Sequence, residues 1–118
     1  MSRRAMGELE DEVMEYLWVL GAPASPAEVH TAVAPELAYT TITTILTRLW
    51  EKGRLDRERV GRSFEYAAVQ TEAQHRADEM RVNLGHAADR GAVLSSFVDG
   101  LDPNDLDVLR ELLGEEEA

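Results

Sequence analysis

The sequence predicts a mainly α-helical chain with a small β-hairpin wing, and three observations predict it. Apolar residues recur at helical spacing in six stretches, most clearly as Ile42, Ile45, Leu46 and Leu49. Just after Gly53 the period changes to two, in "LDRERV" and "SFEYAAV". From residue 71 onward the apolar stripes are thin, so the last third reads as short helices that bury little surface by themselves.

In chain order, "MGELEDEVMEYLW" opens as a helix with Leu9, Val13, Tyr16, Leu17 and Leu20 on one face and Glu8, Asp11, Glu12 and Glu15 outside. "GAPAS" breaks it. Ser25, Pro26 and Glu28 supply an N-cap, an N1 proline and the N3 acid of a capping box, starting a short second helix with Val29 and Val33 inward. The third helix is "YTTITTILTRLWEKG", stopped by Gly53. Two strands follow, turning at Val60–Gly61–Arg62, with Phe64 and Tyr66 on one face. Thr71 with Gln74 opens a fourth helix, striped by Ala73, Ala77, Met80 and Leu84. A fifth covers roughly residues 90–98, and Asp102–Pro103 begins a sixth, striped by Leu106, Leu109 and Leu113. Helix, helix, helix, hairpin is the winged helix-turn-helix arrangement, with the third helix as recognition helix. The expected division is a winged-helix DNA-binding domain at 1–70 and a C-terminal three-helix dimerisation region at 71–118.

The third helix carries the sharpest functional signal. Threonine is a mediocre helix former, yet Thr40, Thr41, Thr43, Thr44 and Thr47 crowd the sides away from the isoleucines and leucines, beside Arg48. Short hydroxyls next to an arginine suit a surface that approaches a DNA groove closely, where threonine meets phosphates, base edges or the thymine methyl. A threonine-tolerant solvent face is the plainer reading. The net charge is −11, but it is unevenly spread. Residues 1–70 hold 8 basic and 11 acidic groups, and residues 71–118 hold 4 and 12. Residues 48–62 concentrate six cations, among them Arg48, Lys52 and Arg62, against three anions. That allows a local basic patch on an acidic protein and predicts weak non-specific binding. The tail's thin stripes call for a second copy of the chain, and a winged helix reading a palindrome needs two-fold symmetry. The expected seam is Leu94, Phe97, Val98, Leu101, Leu106 and Leu109.

Together, "GELEDEVMEYLW", "AYTTITTILTRLWEKGRLDRERVGRSFEYAAV" and "GAVLSSFVDGLDPNDLDVLRELL" resemble the BlaI/MecI family of winged-helix repressors, over nearly the whole chain. The resemblance implies a homodimeric transcriptional repressor on a dyad operator of double-stranded DNA near its target genes, such as β-lactamase genes. It also implies a membrane sensor-protease system whose action leads to repressor cleavage before a phenylalanine in the tail. The matching bond here is Ser96–Phe97, with Ser96 where the family has asparagine. A copper-responsive branch uses a C-terminal cysteine motif, and this chain has no cysteine.

Other classes leave weaker traces. His75, Asp78 and Glu79, followed by His86 and Asp89, are candidate ligands for a metal effector or the acids and bases of a solvated face. A winged helix used as a protein-interaction module would suit the acidic balance. No nucleophile elbow, phosphate loop or His-Glu-x-x-His motif points to an enzyme, and no cofactor is expected. There is no apolar run near about 18 residues and no signal-peptide pattern, so the expectation is a cytoplasmic protein without membrane insertion.

Overall fold

The computed structural model describes residues 5–114. The elements run α1 (Met6–Leu20), α2 (Pro26–Val33), α3 (Tyr39–Glu51), β1 (Leu55–Val60), β2 (Ser63–Ala68), α4 (Glu72–Gly85), α5 (Arg90–Asp99) and α6 (Pro103–Leu112). They fall into an N-terminal unit ending at Arg76 and a C-terminal unit beginning at Ala77. The sequence pattern placed its boundary at residue 70. The first turn of α4 stays with the N-terminal unit because His75 lies 5.4 Å, ring centroid to centroid, from Trp18, and the Arg76 guanidinium 5.6 Å from the same ring.

The N-terminal unit is a winged helix. α1 ends where Gly21 adopts φ 65° and donates its N–H to the Leu17 carbonyl. α2 starts on the expected box: Ser25 Oγ accepts from the Glu28 N–H, and Glu28 Oε1 from the Ser25 N–H at 2.8 Å. α3 packs Ile42, Ile45, Leu46 and Leu49 inward, all fully buried. They close over Leu9, Val13, Met14 and Leu17 of α1, Val29 of α2, Leu55 of β1 and Tyr66 of β2. Leu20, read as inward, is exposed, and Met14 is buried in the core instead. The helix ends at Leu20, which leaves that side chain beyond the last packed turn.

β1 and β2 pair antiparallel in the register Leu55↔Ala68 to Val60↔Ser63. Gly61 at φ 63° makes the turn between them. Ala24 extends the hairpin by one bridge, exchanging both backbone hydrogen bonds with Tyr66 at 2.9 and 2.8 Å. The wing is thereby fastened to the loop before α2. Trp18 Nε1 donates to the Gln70 carbonyl at 3.0 Å, holding the chain as it leaves the hairpin.

The C-terminal unit is built from well-capped helices with little to cover them. Asp89 caps α5 through the Ala92 N–H, and Asp102 caps α6 through that of Asn104. No residue of α4, α5 or α6 is buried. Caps and local propensity define these helices; packing within one chain does not.

Candidate nucleic-acid interface

The outward side of α3 sorts the five threonines into two groups. Thr40 and Thr44 are exposed, while Thr41, Thr43 and Thr47 are half-buried on the flanks. Thr43 Oγ1 donates to the Thr40 carbonyl at 3.0 Å, and Thr47 Oγ1 to the Thr43 carbonyl at 2.9 Å. Their hydroxyl protons are therefore occupied within the helix. What those two offer outward is a methyl group and an acceptor lone pair. Arg48 is exposed and makes no ion pair among the described residues. The N-cap of α3 is Ala38, which supplies no side-chain bond to the first amides. Of these, the Thr41 N–H donates to the Ala38 carbonyl at 3.0 Å, at the positive end of the helix dipole.

The hairpin separates charge by its period of two. Arg57 and Arg59 lie on the face shared with Tyr66 and Phe64, their cross-strand partners. Asp56, Glu58 and Glu65 lie on the other face, with Glu58 directly opposite Glu65. Like charges placed so are mildly destabilising. Arg62 stands at the exposed tip. The run of mixed charges in sequence thus becomes a wing with a cationic inner face and tip and an anionic outer face.

Lys52 behaves differently from Arg48 and Arg62. Its Nζ donates to both carboxylate oxygens of Glu10 on α1, at 2.9 and 3.0 Å. Glu10 is buried. This pair joins the end of α3 to α1, and the lysine charge is answered inside the protein. Lys52→Met should destabilise the N-terminal unit by about 1–2 kcal/mol, less than for a fully buried pair because the lysine side chain is 55% exposed. Thermal unfolding of the full chain checks this; an unchanged midpoint overturns it.

Two of the three histidines have structural occupations, and His86 is exposed. His30 Nε2 lies 2.7 Å from the Leu37 carbonyl, across the turn between α2 and α3, and its ring meets Tyr39 edge-on. His75 Nε2 lies 3.0 Å from an Arg54 guanidinium nitrogen. Among the described residues no group of three or more His, Asp or Glu is gathered around a possible metal site.

In the C-terminal unit, Leu94, Phe97 and Val98 are exposed, and Leu101, Leu106 and Leu109 are half-buried. Ala77, Met80, Leu84, Val93, Leu94 and Phe97 line an open groove of about 440 Å³. The Ser96–Phe97 bond lies inside α5, and the Ser96 carbonyl accepts from Gly100 N–H at 3.2 Å. A protease that needs an extended substrate would have to unwind α5 first.

A family model described as penicillinase repressor matches residues 6–115. The chain belongs to the penicillinase repressor family. The transcriptional regulator BlaI of Mycobacterium tuberculosis, from two strains, is 36% identical over 118 residues, covering 96% of this chain and 86% of the relative. Among solved structures, the Hop2–Mnd1 complex of Giardia lamblia aligns with 97% of this chain and 80% of its own at a TM-score of 0.50 and 14% identity, a likeness of fold. The transcriptional regulator Tm0710 of Thermotoga maritima aligns with 92% of this chain and 74% of its own at a TM-score of 0.47 and 21% identity. This penicillinase repressor family member is thus a transcriptional regulator and not an enzyme. No described helix is long and apolar enough to cross a membrane.

Two features of this family member lay outside the sequence reading. Glu10 is the buried partner of Lys52, joined across 42 residues. Arg57 lies against two aromatic rings, Trp50 at the end of α3 and Phe64 on β2. The apolar or acidic neighbours of these residues in sequence gave no sign of either contact.

Proposed function

We propose that the protein is a homodimeric repressor that binds a dyad operator in double-stranded DNA, with α3 in the major groove and the wing beside it. The observation that carries this reading is the outward side of α3. A helix whose inner stripe is fully buried presents exposed Thr40, Thr44 and an unpaired Arg48 outward. Arg62 supplies a second cation at the wing tip. Thr41, Thr43 and Thr47 flank the contact through methyl groups and hydroxyl oxygens, suited to thymine methyls, to base donors and to phosphates reached through a water that donates to both. Lys52 contributes by fixing the end of α3 against α1.

Two-fold symmetry comes from the C-terminal unit, whose three helices hold no buried residue in one chain. A second copy covering Leu94, Phe97 and Val98, with the half-buried Leu101, Leu106 and Leu109 at the seam, would supply the missing core. The regulated genes in this reading are resistance genes such as those for β-lactamase, in the cytoplasm. Induction by a membrane sensor-protease system would require local unwinding of α5 around Ser96.

The test is a mobility-shift titration of the full chain on a duplex with an inverted repeat, chosen by the protein from a random pool. Log affinity should fall with log salt by about 0.9 for each phosphate neutralised, and a scrambled duplex should bind far more weakly. Equal affinity for both duplexes would overturn the reading.

A further inference from the structure

The Arg57 guanidinium carbon lies 3.5 Å from the ring centroid of Trp50 and 4.1 Å from that of Phe64. We propose that this ring-flanked arginine is a preset clamp for a DNA phosphate, and that the two rings join the wing to the recognition helix in the pose that binds. The proposal rests on the DNA-binding reading above.

Three observations carry it. First, the rings occupy the faces of the guanidinium, and the polar capacity of that group lies in its edge, where five N–H donors point outward in a plane. Arg57 makes no hydrogen bond or ion pair among the described residues, and its nitrogens are absent from the buried atoms that lack a partner, which comprise Arg54 Nε alone among those described. Its donors are therefore open to an oxyanion. Second, acids stand close by in sequence, Glu51 and Asp56 before Arg57 and Glu58 after it, but Asp56 and Glu58 lie on the other face of the hairpin. Strand alternation turns Arg57 away from those two acids, onto the face it shares with Phe64 and Tyr66. The rings then fix it on that face, where no carboxylate pairs with it among the described residues. Third, Trp50 is a large aromatic side chain left 38% exposed at the C-terminal end of α3. Base edges are read from the N-terminal part of a recognition helix, so a cation beside the far end of α3 meets the sugar–phosphate backbone.

A side chain already immobilised loses little freedom when it binds, so each of its hydrogen bonds contributes more to affinity. The same stack makes the wing's orientation depend on Trp50, although the wing is otherwise held at its root by Tyr66 and the bridge to Ala24.

The test compares Arg57→Ala, Arg57→Lys, Trp50→Leu and the Trp50→Leu/Arg57→Ala pair with the wild-type chain. The probes are a duplex selected from a random pool and an unrelated duplex of equal length, each titrated at several salt concentrations, with thermal unfolding recorded in parallel. Arg57→Ala should weaken both duplexes by the same factor and lower the salt slope by about one unit for each copy bound. Arg57→Lys should restore the slope but not the affinity, because lysine keeps the charge and loses the planar stack. Trp50→Leu should weaken binding with the slope unchanged, and the double variant should be no weaker than Arg57→Ala, since the ring acts through the arginine. A folded Arg57→Ala protein with wild-type affinity and slope overturns the clamp, and full rescue by lysine overturns the role of the rings. If the wild-type chain itself shows no duplex binding, it is the reading of the interface that fails and not the inference alone.

Discussion

If the chain dimerises as proposed, Phe97→Ala should convert it from dimer to monomer at micromolar concentration. In the single chain 47% of Phe97 remains exposed, and a phenylalanine side chain brings of order 200 Å² to a contact. Covering the remainder with a second copy would stabilise by about 2 kcal/mol at the usual value per unit apolar area. Two-fold symmetry doubles that to about 4 kcal/mol per dimer, close to a thousandfold in the dissociation constant. The fold of each chain should survive, because no α5 residue contributes to the buried core. Sedimentation equilibrium reads the mass, and a reporter gene under the operator reads the consequence: expression in the absence of inducer. A variant that stays dimeric at wild-type affinity places the seam elsewhere. One that derepresses while the wild-type chain stays uncut during induction would keep the seam and remove Ser96–Phe97 cleavage as the switch.

Arg48→Ala should weaken operator binding by about 1–3 kcal/mol if the guanidinium reads a base, with sequence preference lost at one position of each half-site. Its exposure means that thermal stability should hardly move. The control is Arg62→Ala at the wing tip, which should weaken every duplex alike and lower the salt slope by about one unit per copy. Unchanged operator affinity in a folded Arg48→Ala protein would remove that residue from the interface and with it the orientation proposed for α3.

Much of the fold was legible because its decisive signals are local. The spacing of Ile42, Ile45, Leu46 and Leu49 fixes which side of α3 is buried, and all four are fully buried. Ser25, Pro26 and Glu28 state their own helix start, and Gly61 its own turn. The thin stripes after residue 71 correctly signalled helices without a core. What sequence spacing could not supply was pairing over distance. Lys52 looked like one more cation in a basic run, yet its partner Glu10 lies on another helix. The charges of residues 54–62 read as one patch by number, whereas strand alternation divides them between two faces. Thr43 and Thr47 resembled free donors, but a hydroxyl on a helix finds the carbonyl three or four residues back. The contact of Arg57 with Trp50 depends on the angle at which β1 leaves α3, which no residue spacing encodes.

The two-sided wing has a consequence at the scale of a genome. A chromosome offers about 10⁶–10⁹ non-specific sites that compete for any DNA-binding protein. Most such proteins are held on bulk DNA by broad cationic surfaces. A repressor of net charge −11 with Glu58 and Glu65 on the back of its wing has one narrow approach that a duplex attracts, while its acidic surfaces are repelled. If it acts as proposed, the chromosome would hold little of it in reserve. Few copies would then suffice to fill an operator, and when the intact dimer is lost no reservoir of loosely bound molecules would refill it. Derepression would follow the fate of the dimer with little delay.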